Sequence, residues 1–360
     1  MEMNNTMDFT KFTSDNINAE NGTGDTRLHL ACYQDNLSEV QKLIKAGANV
    51  NIPDQFGETP LMSGIGNLDI VKELVTANAN LNVQDRYGDT ALHRACIKSH
   101  YDVINFLIDS GANLNIQNND KKTPLIIQTS TGNCIQSGSD VISQYKYGKT
   151  AVMFSQNEDE NIEKLIQAGA DLNIQDQNGK TALMYACQNG DEDILEKLIQ
   201  AGADLNIQDQ DGKTALMHAC GNESQNEDIV EKLIQAGADL NIQDQDGETV
   251  IFYVSSKCIL QQLIQAGADL KIQDKLGNTL LHYVINNAAL SKLLIGFGVD
   301  LNVQNNDKET PLLLAYETNL KVTLILIKAG AKADIQNNFG QSVLSIATAI
   351  NHKKILKLLN

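Results

Sequence analysis

The sequence predicts an all-α solenoid, a stack of helix-turn-helix units joined by short hairpin-like loops, and three observations lead there. The phrase Ile-Gln-Ala-Gly-Ala-Asp-Leu-Asn-Ile-Gln-Asp-Gln occurs three times, from Ile166, Ile199 and Ile234. A fourth copy from Ile264 departs at its end, where Leu270, Lys271, Ile272, Gln273, Asp274 and Lys275 follow one another. Each copy runs into a Gly-x-Thr step. Aligning on that Thr marks Thr26, Thr59, Thr90, Thr123, Thr150, Thr181, Thr214, Thr249, Thr279 and Thr310, then Ser342, at spacings of 33, 31, 33, 27, 31, 33, 35, 30, 31 and 32 residues. Eleven units of this size are each too small to bury an apolar face alone, so neighbours must stack to make a core.

The elements follow from the best-formed unit, Asp85 to Gln117. Asp85 and Gly88 supply a turn. Thr90 is the N-cap of a first helix whose apolar face is Leu92, Ala95 and Cys96. A second helix carries Val103, Ile104, Leu107 and Ile108, and Gly111 ends it in the left-handed conformation. Pro60, Pro124 and Pro311 each follow the aligned Thr, at the first helical position that tolerates proline. The units from Thr59 and Thr249 are clipped before their second helices. The unit from Thr123 lacks the Gly-Ala-x-Leu-Asn ending and runs instead through Ser137-Gly138-Ser139-Asp140, which predicts a weak joint near residues 132–148.

Residues 1–21 are polar and patternless and read as a disordered tail, leaving 22–360 to the solenoid. The lysines of His352 to Leu359 give a solvated face to a terminal capping helix. The first 20 residues hold no apolar run, and nowhere do 18 apolar residues follow one another, so the expected location is cytoplasmic, with no membrane partner. Export without a cleaved signal leaves no mark of this kind.

The formal charge of −17 is concentrated. Between Asn157 and Val250, 21 acids face 5 lysines, a net of −16; the remaining 24 acids and 23 bases give −1. That field excludes nucleic acid and favours a basic partner, while also serving solubility. No metal or cofactor site is expected. Of six cysteines, Cys32, Cys96, Cys187 and Cys220 occupy one slot after the Ala of the first helix and read as small buried hydrophobes. Helices pack 8–10 Å apart, too far for a disulfide between neighbouring slots. The Asp209 to Gly212 and Asp244 to Gly247 loops mimic calcium loops. Aligning Gly212 on the sixth position puts Ile207 first and His218 twelfth, where carboxylates are required. Nucleotide-, hydrolase- and zinc-site motifs are absent from the sequence, and no catalytic residue is assigned.

The run Asp-Thr-Ala-Leu-His-Arg-Ala-Cys at Asp89 to Cys96, with Val103, Ile104, Leu107 and Ile108 and then Gly111-Ala112-Asn113-Leu114-Asn115, resembles the ankyrin repeat. The resemblance covers about Gly22 to Asn360. It implies that His29, His93 and His282 serve structurally, hydrogen-bonding between neighbouring units. It implies a non-enzymatic adaptor or scaffold, a monomer whose protein or peptide partner meets the concave face of hairpin tips and first helices. A microbial effector engaging host proteins through the same surface is the alternative, suggested by an Asn-, Ile-, Lys- and Gln-rich composition. It also implies that Asn173, Asn206 and Asn241 match a hydroxylation pattern, beside a structural role in the loop.

Two sets of partner-facing residues are expected. At the tips stand Phe56, Tyr87, Tyr147 and Leu276, with Arg86 and Lys146 beside two of the aromatics, in the manner of binding anchors. Phe339 shares the tip position and Lys275 stands beside Leu276. Four residues after the Thr, five consecutive units place Phe154, Tyr185, His218, Tyr253 and Tyr283, an aromatic ladder within the acidic middle. Lys149, Lys180 and Lys213 share the position before the Thr. Glu160 with Lys164, Asp193 with Lys197 and Asp228 with Lys232 lie at i and i+4.

Overall fold

The computed structural model describes residues 16–130, 162–221 and 226–359. They belong to two compact bodies, Met1–Asp204 and Leu205–Asn360. In the first, first and second helices alternate as α1 (Arg27–Tyr33), α2 (Leu37–Lys45), α3 (Pro60–Ser63), α4 (Leu68–Thr76), α5 (Ala91–Ile97), α6 (Tyr101–Asp109), α7 (Pro124–Ser130), α8 (residues 162–167), α9 (Ala182–Asn189) and α10 (Glu192–Gln200). The second holds α11 (Ala215–Gly221), α12 (Glu227–Gln235), a 3-10 turn at Val250–Tyr253, α13 (Lys257–Gln265), α14 (Leu280–Tyr283), α15 (Ala288–Gly296), α16 (Pro311–Thr318), α17 (Leu320–Lys328), α18 (Val343–Ala349) and α19 (Lys353–Leu359). Among the described residues the one extended pairing is an isolated bridge between Glu20 and Thr26, so both bodies are built of helix pairs, as the all-α class predicts.

Thr90 shows why the unit starts where it does. Its backbone is extended, its hydroxyl accepts from the His93 N–H, and the His93 ring returns to the Thr90 N–H, closing a capping box. The same reciprocal cap recurs at Thr26 with His29, Thr279 with His282 and Ser342 with Ser345. Behind the cap, Leu92, Ala95, Cys96, Ile104 and Leu107 have essentially no exposed surface, the apolar set expected from the spacing. Gly88 is required twice over. Its φ is +77°, and a Cβ there would lie 2.6 Å from the Asn119 nitrogen of the next hairpin.

Hairpins and loops are registered by side chains from unit to unit. The Gln84 amide donates to its own Gly88 carbonyl and to the Gln117 carbonyl 33 residues on. The Asn82 side-chain oxygen accepts the Asn113 N–H, and Asn173, Asn206 and Asn241 repeat that rung with Asp204, Asp239 and Asp269.

One joint changes the register. The Gln117 amide reaches Gln175, 58 residues on, the Asn115 oxygen accepts the Asp171 N–H, and α7 packs directly on α9. Among the described residues, the first helix that packs next on α7 is therefore α9, opened by Thr181. Ten helix pairs are present among the described residues, where the spacing of Thr residues suggested eleven units. Thr150 and the expected joint at 132–148 lie outside the described residues. The clipped units have four-residue first elements, α3 and the 3-10 turn, a length shared by α14. Of the polar stretch set apart as a tail, residues from Asn16 are described, and the Asn18 side chain accepts the Asn49 N–H as the first rung of the Asn series.

Candidate interaction face

The hairpin turn is organised by its first residue, five before the capping Thr. In the Thr90 unit this is Asp85, whose Oδ1 accepts the N–H groups of Tyr87 and Asp89. Its other oxygen, Oδ2, faces the first helix and takes the Arg94 guanidinium at 2.7 Å, which also holds Glu58 of the preceding unit at 2.5 Å. Arg94 stands four residues after the Thr, in the slot of the expected aromatic ladder.

The ladder residues make the same bond. The Tyr185 hydroxyl donates to Asp176 Oδ2 at 2.6 Å, His218 Nε2–H to Asp209 Oδ2 at 2.7 Å, the Tyr253 hydroxyl to Asp244 Oδ2, and the Tyr283 hydroxyl to Asp274 Oδ2 at 2.5 Å. All five Asp residues are buried, and a buried carboxylate oxygen without a donor is costly. Burial first, and then the bonded Asp, push the hydroxyls of Tyr185, Tyr253 and Tyr283 above their ordinary range. Burial works against the charged form of Asp209, but the His218 bond and the N–H groups of Lys213 and Asp211 more than offset it, holding Asp209 below its ordinary value.

Where the turn begins with Asn, the slot is aliphatic. Asn21, Asn118, Asn305 and Asn337 accompany Leu30, Ile127, Leu314 and Ile346. An Asn needs no outside donor on that side, because its amide itself donates, as Asn21 does to Asp25 and Asn118 to Asp89. Asp54 is the exception: it is only half-buried, and Ser63 in the slot donates to the Thr59 carbonyl. The signal for Arg94 was thus present in the sequence, as an Asp nine residues before a donor.

The ladder's polar ends are engaged within their own units, which leaves ring faces as the outward chemistry. Tyr185, His218 and Tyr253 are half-buried and Tyr283 is 46% exposed. Lysines cover some of these faces. Lys122 and Lys180 lie 5.5 and 5.7 Å from the Tyr185 ring centroid, and Lys213 lies 5.0 Å from that of Tyr253. Phe252 meets the Tyr283 ring edge-on at 5.6 Å. Around Tyr253, burial and then Asp244, Asp246 and Asp274 hold Glu248 above its ordinary value. Among the second-helix lysines, Lys164 reaches Asp109 at 2.9 Å and Lys197 reaches Glu163 at 3.9 Å, each on the preceding unit.

The tip residues form one compact cluster in the first body. The Arg86 guanidinium lies 4.3 Å from the Phe56 ring centroid and 4.6 Å from that of Tyr87, and it donates to the Tyr87 hydroxyl. Tyr87 is 52% exposed, whereas Phe56 is half-buried beneath the cation. In the second body Leu276 is 63% exposed and its carbonyl accepts the Asn306 N–H. Phe154, Lys146 and Tyr147 lie outside the described residues.

His29, His93 and His282 are buried, each accepting the Thr N–H on Nδ1, which leaves Nε2 protonated to donate to the next unit at Glu58, Lys122 and Glu309 carbonyls. Burial raises the thiols of Cys32, Cys96 and Cys220 to about 12, which keeps them protonated and inert. Among the described residues no cluster of His, Cys, Asp or Glu has the makings of a metal site, and no helix is long and apolar enough to cross a membrane.

A family model described as ankyrin repeats (3 copies) matches residues 3–85, 28–118, 63–137, 148–244, 222–291 and 250–337. A comparison with curated proteins returned no match. Among solved structures the chain is similar to the crystal structure of the ankyrin repeat domain of Bcl-3, described as a unique member of the IkappaB protein family. The identity is 26%, over 68% of this chain and 99% of that one, with a TM-score of 0.54. The ankyrin repeat is in general a protein–protein interaction module, without catalytic activity of its own. Taken with the capped hairpins and paired helices described above, matches that run over 3–137 and 148–337 make this chain a member of the ankyrin repeat family.

Proposed function

We propose that the chain is a non-enzymatic scaffold that holds a segment of a partner protein against its hairpin tips and first helices, and that the segment carries Lys or Arg. One observation supports this above the rest. The Tyr185, Tyr253 and Tyr283 rings are locked by their hydroxyls to buried Asp residues, so a partner meets pre-oriented aromatic faces and little side-chain entropy is lost on binding. The chain's own Lys180 and Lys213 already lie over two of these rings, which is the place a partner's cation would take. Asp246 and Glu248 extend the negative surface around Tyr253, and the tip cluster of Phe56, Arg86 and Tyr87 offers a separate aromatic anchor in the first body.

Affinity capture followed by mass spectrometry tests this reading with two variants. Replacing Tyr185, Tyr253 and Tyr283 by Phe keeps the rings and removes the bonds to Asp; replacing them by Ala removes both. Because the bonds to Asp hold the rings still, the Phe variant should capture the native partners more weakly and the Ala variant should lose them. Identical partners for the native and Ala chains would rule it out.

A further inference from the structure

The second helices of the last four units differ in charge from all the others. The helices α2, α4, α6, α8, α10 and α12 each carry at least one acid, from Glu39 to Glu231. In contrast α13, α15, α17 and α19 carry seven lysines (Lys257, Lys292, Lys321, Lys328, Lys353, Lys354 and Lys357) and no Asp or Glu. These four helices pack in succession within the second body, α13 on α15, α15 on α17 and α17 on α19. A chain of net charge −17 thus presents one face of opposite sign.

That face carries a shallow, open depression. This trough of about 590 Å³ lies along α15 and is lined by Ala289, Leu293 and Phe297 together with Lys257, Lys292 and Lys321. The three lysines are exposed and have no ion-pair or hydrogen-bond partner for their ammonium groups among the described residues. Elsewhere Lys42, Lys72, Lys164 and Lys197 stand within 4 Å of a carboxylate. The nearest acidic helix is α12, where Glu227 accepts from the Ser256 hydroxyl at 3.3 Å. Phe297 keeps 43% of its surface exposed at the end of the trough.

We infer that this trough docks an amphipathic helix of a partner protein, with apolar side chains on Leu293 and Phe297 and Glu or Asp on its flanks. The width fits: Lys257 and Lys321 stand on the helices either side of α15, and neighbouring helix axes lie about 8–10 Å apart, so the walls span roughly 16–20 Å. A helix with side chains is about 10–12 Å across. Charge selects the partner's flanks, since unpaired ammonium groups beside an apolar floor are complementary to carboxylates and repel a basic helix. A bilayer surface is flat on this scale and would leave the floor unfilled. This site is separate from the first-helix face and does not depend on it.

Fluorescence anisotropy with the full chain tests the inference. The probe is a fluorescein-labelled peptide of roughly 18 residues with Leu at i, i+3, i+4 and i+7 and Glu on the flanks, long enough to form a helix. The native chain binds it saturably. The triple change Lys257→Glu, Lys292→Glu, Lys321→Glu weakens binding at least about tenfold, as does filling the floor with Ala289→Trp. The matched change Lys42→Glu, Lys72→Glu, Lys98→Glu leaves binding as it was, and circular dichroism shows all variants folded. Failure of the probe to bind, or equal binding by the triple variant, overturns the proposal. So does self-association of the native chain that the triple variant loses, which would make a second copy the occupant. Phosphatidylserine vesicles or a single-stranded oligonucleotide competing with the probe and binding more tightly would also overturn it.

Discussion

Units whose hairpin begins with Asp and units whose hairpin begins with Asn build the same turn by different means. Asp85, Asp176, Asp209, Asp244 and Asp274 each leave a buried oxygen that a long donor from the first helix must satisfy. Asn118, Asn305 and their like donate for themselves, and Ile127 or Leu314 fills the slot instead. The aromatic ladder is thus first a set of structural donors. Under the proposed function, the ring faces that this bond holds still are what a partner would meet.

The largest break in this comparison is Arg94→Leu. It strands Asp85, whose side chain has no exposed surface, and Glu58 beside it. Removing one member of such a buried pair costs about 3–5 kcal/mol, read as a lowered urea midpoint. A loss below about 1 kcal/mol would show that the Asp needs no donor. Next comes Tyr185→Leu, which leaves Asp176, 3% exposed, without its hydroxyl donor. About 1–3 kcal/mol is expected, since the cost is that of an unsatisfied buried acceptor, and protection of the hairpin amides from hydrogen exchange should fall with it. Asp54→Asn is the smallest. Asp54 is half-buried and lacks a donor in the slot, so its melting temperature should match the native one, within about 0.5 kcal/mol.

The buried histidines form a third kind of lock, and pH separates it from the other two. Burial lowers His29, His93 and His282 from the ordinary value of 6.5. As pH falls below 6.5 the unfolded chain takes up protons first, so the stability they lend is complete above that value and declines below it. A melting temperature that drops between about pH 7.5 and about pH 5.5, with a smaller drop in His93→Gln, is the expected result. An equal drop in both would remove His93 from that account.

Most of the fold was legible because the period, the capping Thr and the apolar spacing are local and repeated. Thr90, Gly88 and Gly111 do in the structure what their types dictate. The order of stacking at one joint was not legible. Thr123 and Thr150 are spaced like neighbours, but the partner of Gln117 is Gln175, and nothing in the spacing says which loop a glutamine amide will reach. The ladder was visible as a list of rings, whereas its bonds to Asp were present only as a nine-residue spacing from Asp to donor, which does not by itself say that the two side chains meet. Lysines over the Tyr185 and Tyr253 rings were likewise hidden, because the sequence shows their register but not the direction of the side chain.

A double-mutant cycle between Asp244 and Tyr253 tests the central claim most directly. The readout is hydrogen exchange at the Asp246 and Glu248 amides, both of which donate to Asp244 Oδ1. It is local, as suits an array whose repeats need not unfold together. Tyr253→Leu alone should destabilise the hairpin, and adding Asp244→Asn should recover most of the loss, a coupling of about 1–2 kcal/mol. Strictly additive effects, with the double variant as weak as the sum of the singles, would contradict the pairing of Asp with a helix donor.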